Sequence, residues 1–153
     1  MSLTTTVALS LATLLASVAA HYEVLAVLAR LTAGRPGSRR ISLFVAITGL
    51  LAVHMCEIAL FAGAFYIGAG VLDLGSFVSA RTMAPMDYFY YAAETYSSLG
   101  YGDIYPLGTI RLLASITPVI GLLLMGWSSA FLFSLVQPRD PPSDGKHDVS
   151  ASS

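Results

Sequence analysis

The chain has 153 residues, 56% of them hydrophobic and only 11% charged, and its mean hydropathy of +0.72 is too apolar for an ordinary water-soluble domain of this size. A formal net charge of -1 without a basic stripe leaves no electrostatic case for a nucleic-acid partner. The lone Cys56 excludes an internal disulfide and a multi-cysteine metal site, so packing is its default role.

Three apolar stretches are long enough to cross a hydrocarbon core, which takes about 20 helical residues. They run from Val7 to Leu31, Ile41 to Val71 and Thr109 to Val136, and each is expected to be a helix because backbone groups in lipid must bond internally. By the same reading, residues 1–33 form a first membrane helix, 34–40 a basic loop and 41–136 a second unit. The loop brings Arg30, Arg35, Arg39 and Arg40 together without an acid. The positive-inside rule therefore places it in the cytoplasm, with the N-terminus outside and the C-terminus inside. Residues 137–153, rich in Pro and Ser, have almost nothing to bury and are expected to be a disordered cytoplasmic tail. Ala8 to Ala20, ending in Val18-Ala19-Ala20, also has the form of a signal-peptide core with a cleavage site, although no positive charge precedes it. No span carries arginines at three-residue spacing, which argues against direct voltage sensing.

Residues 73–108 must begin and end on the outer side, yet their middle is apolar. Pro85 introduces Met86 to Tyr96, about three helical turns, with Pro and Asp87 at the start, where a helix prefers them. A helix over 86–97 is expected, followed by Ser98-Leu99-Gly100-Tyr101-Gly102-Asp103, where two glycines free the backbone. A half-helix leading into extended backbone is tolerated at membrane depth only where it lines water or is buried in protein. Four copies of such a strand supply rings of carbonyls able to replace the water of a potassium ion, with sites at Ser98, Leu99, Gly100 and Tyr101. The negative end of the half-helix dipole favours a cation there.

These residues resemble the potassium channel family, whose filter reads Thr-Val-Gly-Tyr-Gly-Asp. As in its bacterial two-helix members, this chain has Tyr90-Tyr91, Glu94-Thr95, Asp103, Tyr105-Pro106, Arg111-Leu112, Gly121 and Gly126 at matching offsets, over roughly Ala84 to Val136. Ser98 stands where threonine is usual and Leu99 where valine is, so β-branching is lost at both positions, and Tyr96 is bulkier than the small residue often found there. The resemblance implies that Tyr90, Tyr91, Glu94 and Asp103 support the filter, with the two carboxyls behind and above it sharing a proton or hydrogen bond.

In the third span, Pro118 weakens the helix, Gly121 and Gly126 are hinge or close-packing positions, and Leu122, Met125, Ser129 and Phe133 share the face expected to line a cavity, with Phe133 the narrowest point. His54 and Glu57 lie one turn apart, roughly 20 to 25 Å from Arg40, hence within the membrane. Ionisable residues there are functional candidates, here for pH sensing, or else they bond to a neighbouring helix. His21 and Glu23 face different ways, which argues against a joint metal site. Trp127, Tyr66 and Tyr105 are aromatic residues of the interfacial type, with packing favoured for Trp127.

The expectation is an all-α membrane protein of three transmembrane helices and a re-entrant pore helix, with outer helix 41–71, filter 98–103 and inner helix 109–136. It would assemble as a homotetramer in a bilayer, on the resemblance a bacterial plasma membrane, and pass potassium passively. Permeant K+ takes the place of a cofactor, and no catalytic constellation is apparent. Two alternatives stand beside it: a non-selective monovalent cation channel, and a non-conducting subunit serving an unidentified partner channel.

Overall fold

A computed structural model describes residues 2–33 and 39–137. Arg35 and most of the basic loop, together with the tail from Pro138, lie outside these residues. The order is α1 (Ser2–Thr32), α2 (Arg39–Gly70), β1 (Gly75–Val78), α3 (Pro85–Tyr96), β2 (Tyr105–Gly108) and α4 (Arg111–Val136). Three of the helices are long and apolar enough to cross a membrane. Arginine sits at an end of each: Arg30 in the last turn of α1, Arg39 and Arg40 at the start of α2, and Arg111 at the start of α4.

The long helices stay apolar over most of their surface because lipid, rather than water, is the solvent that suits them. Leu11, Phe44, Leu51 and Val119 all remain exposed on the chain. α1 packs on α2 and α4, and the short α3 packs between α2 and α4. The core beneath α3 is aromatic. Phe61, Phe65, Tyr91 and Tyr96 are buried with Ile110, Leu113 and Leu124, and Phe65 and Phe77 each meet the Tyr91 ring edge-on at 5.0 Å, a preferred aromatic geometry.

To the mostly helical fold the structure adds a two-stranded antiparallel sheet, pairing Gly75 with Gly108 and Val78 with Tyr105. Its end nearest α2 and α4 needs glycine on both strands. A Cβ on Gly75 would lie 1.9 Å from the Leu107 carbonyl oxygen, and one on Gly108 would lie 2.9 Å from Gly75 Cα. The sheet ties the end of α2 to the start of α4. The Leu74 carbonyl accepts from the Ile110 amide at 3.1 Å and from the Thr109 hydroxyl at 2.9 Å. The Thr109 hydroxyl also meets that of Thr6 at 2.7 Å, which joins α1 to the same end of the bundle.

Candidate functional site

α3 begins where the sequence offers the right chemistry for a helix start. Pro85 occupies the first turn, and the Asp87 carboxylate reaches back to accept the Ala84 amide at 2.7 Å while pairing with Arg81 at 2.6 Å. An acid in the first turn satisfies a free amide and complements the helix dipole.

At the other end, the chain leaves α3 with Ser98 in the left-handed region at φ 61°, followed by Gly100 at 56° and Gly102 at 80°. Glycine adopts this conformation freely, whereas serine is strained there, and such strain collects at functional sites. Three successive amides then point the same way. Those of Leu99 and Gly100 donate to the Glu94 carbonyl at 2.8 and 3.2 Å, and that of Tyr101 donates to the Glu94 carboxylate at 3.1 Å. In a trans peptide the N–H and the preceding C=O are opposed, so the carbonyls of Ser98, Leu99 and Gly100 are turned away from α3. Among the described residues none of these carbonyls accepts a hydrogen bond.

Glu94 is therefore the anchor of the segment. It is buried, and its carboxyl is raised above the ordinary range chiefly by that burial, with the Tyr101 amide opposing the rise and the charge of Asp103 adding to it. Asp103 has its own partner, the Tyr90 hydroxyl, which donates to its two oxygens at 3.3 and 3.2 Å. The two carboxyls thus act on each other through charge, and their hydrogen bonds go to different groups. Tyr90 also lies parallel to Tyr101, with ring centroids 6.5 Å apart, while Tyr91 is buried in the core. Leu99 and Tyr101 are exposed on the single chain.

α4 runs unbroken past Pro118, Gly121 and Gly126. Gly121 sits against the end of α3, where an added Cβ would lie 2.0 Å from the Tyr96 carbonyl oxygen; at Gly126 nothing lies within 4 Å. Gly121 is thus the place where two backbones meet. Leu122, Ser129 and Phe133 share an exposed stripe, with Met125 partly covered. Trp127 is partly exposed and faces the rings of His21 and Tyr22. Cys56, expected to be a packing residue, is exposed on the single chain.

His54 and Glu57 do share a face, bonded Nδ1 to Oε2 at 3.0 Å. Sequence spacing did not reveal their other partners: His21 of α1, Tyr96 of α3 and Ser128 of α4. These residues are too far apart in sequence for any local signal. Glu23 is exposed and apart from them.

The family model described as "Ion channel" matches residues 53–137, more than half of the chain. No curated protein matches, and no solved structure does.

Proposed function

Because the chain belongs to the ion channel family, we propose that it is a potassium channel subunit, four copies of which surround one axis. The observation carrying this is the Ser98 to Gly102 backbone. Three amides are held by Glu94, and the carbonyls of Ser98, Leu99 and Gly100 are turned outward without a partner among the described residues. Polar backbone at membrane depth needs an acceptor or donor, and a dehydrated cation coordinated by carbonyls from four copies is the partner that fits. In this reading α3 is the re-entrant pore helix, and its C-terminal end adds negative potential to the site.

The exposed Leu99 and Tyr101 side chains would then be covered by the adjacent subunits. Leu122, Ser129 and Phe133 would line the cavity inside the filter, with the ring of Phe133 as its narrowest point. Permeant K+ would be the transported species, and a cytoplasmic basic loop, which the positive-inside rule supports, would leave the C-terminus in the cytoplasm.

A second reading, a non-selective monovalent cation pore, draws on Ser98 and Leu99, neither of which is β-branched. The reversal potential of purified protein in a planar bilayer, with K+ on one side and Na+ on the other, separates the two. A value near the potassium limit is expected. Robust current reversing near zero would establish the non-selective pore instead, and absence of current in correctly folded tetramers would argue against both.

A further inference from the structure

Midway along the bundle, four helices meet at one buried polar point. His21 Nδ1 lies 2.9 Å from Glu57 Oε1, and His54 Nδ1 lies 3.0 Å from Glu57 Oε2. The Tyr96 hydroxyl lies 2.9 Å from His54 Nδ1 and 2.5 Å from Glu57 Oε2. On the far side of both rings, Ser128 Oγ lies 3.0 Å from His54 Nε2 and 3.3 Å from His21 Nε2. The His21 and Glu57 side chains are 0% and 1% exposed, and that of His54 is 15% exposed.

Proton counting shows that this cluster has fewer hydrogens than contacts. With Glu57 ionised and both rings neutral, the two imidazoles, the serine and the tyrosine bring one proton each to six close contacts. Some contacts must then set lone pair against lone pair, whichever tautomers are chosen. A buried acceptor without a donor is costly, and a polar cluster within the membrane-crossing part of a bundle marks a functional site.

We infer that His21, His54 and Glu57 form a binding site for a divalent metal ion of the zinc class. Their donor atoms all lie within 4.8 Å of one another. Two imidazoles and one carboxylate are a zinc donor set, with a fourth position open, and the Tyr96 hydroxyl is the donor placed to fill it. Around a tetrahedral zinc with bonds of about 2.0–2.1 Å, donors stand roughly 3.3 Å apart, near the 2.9 and 3.0 Å that separate the His21 and His54 Nδ1 atoms from the Glu57 oxygens. The outer contacts fit as well. With both Nδ1 atoms on the metal, each Nε2 carries its hydrogen and donates to Ser128, whose oxygen has two lone pairs to receive them. The metal thus removes the mismatch among the six contacts.

Occupancy would clamp α1, α2 and α4 to Tyr96, the last residue of α3, just before the segment that reads as the filter. That consequence rests on the pore reading; the metal site does not.

The test uses the full-length purified protein, with Co(II) as a spectroscopic probe and Zn(II) as competitor. The expected result is about one ion per chain with the intense visible absorption of tetrahedral Co(II), displaced by Zn(II). His21→Ala should abolish this signal, and Ser128→Ala, which keeps all three ligands, should weaken binding about 10–100-fold. Either of two outcomes overturns the site. One is folded wild-type protein that takes up no stoichiometric metal, which would leave a shared proton to relieve the mismatch. The other is uptake that is unchanged in both variants. Currents recorded on the same preparation report on the pore separately, so failure of the metal site and failure of the pore reading remain distinguishable.

Discussion

Gly121→Ala places a methyl group where the structure leaves no space. The added Cβ would lie 2.0 Å from the Tyr96 carbonyl oxygen, against a comfortable carbon–oxygen separation of about 3.3 Å. The end of α3 and the middle of α4 must then part by about 1.3 Å. Neither partner is a rotatable side chain, so the cost lies at the upper end of overpacking, about 3 kcal/mol. Alanine returns about 1 kcal/mol through helix propensity, for a net loss of about 2 kcal/mol. Gly126→Ala on the same helix meets nothing within 4 Å and should gain about 1 kcal/mol. Thermal unfolding of both purified variants in detergent should therefore move the midpoints in opposite directions. On the proposed pore reading, K+ flux should fall in Gly121→Ala, because the Tyr96 carbonyl lies two residues before Ser98. A pure hinge role predicts instead that both alanines stiffen α4 and that neither harms the fold; equal stability of the two variants would refute the packing argument.

Glu94 carries a pH dependence whose sign follows from its raised carboxyl pKa. Its contribution to stability is fully present below the ordinary carboxylate range and is lost as pH rises through the raised value. Glu94→Gln, which still accepts the Tyr101 amide, should match wild type in acid and gain on it toward neutral pH; a difference in melting midpoint that stays constant between about pH 4 and 8 would remove this assignment. Asp87→Ala strips the acceptor from the Ala84 amide and should cost about 1 kcal/mol in a denaturation experiment. Little of that comes from Arg81, whose side chain is 70% exposed. An unaltered denaturation midpoint would mean that Pro85 alone sets the start of α3.

Three long helices were legible because an apolar run of sufficient length has one low-energy form in lipid, and α3 was legible because Pro85 and Asp87 carry local start signals. The left-handed positions at Gly100 and Gly102 follow from residue type. The same conformation at Ser98 does not, because no local preference puts a serine there; it comes from the amides that Glu94 gathers. The small sheet was hidden as well. Four-residue strands such as Gly75–Val78 have no periodicity to read, and their pairing depends on α2 ending at the level where α4 begins.

By itself the sequence determined what could be decided within a few turns of chain: the spans, the start of α3, and the backbone freedom of the glycines around Tyr101. Tertiary structure alone decided what depends on distant chain meeting in space. It set Gly121 against Tyr96, gave Glu94 three amides to hold, and brought His21, Tyr96 and Ser128 around His54 and Glu57. The reason is physical: propensity and hydropathy act locally, whereas hydrogen-bond partners and close backbone contacts exist only once separate helices have packed.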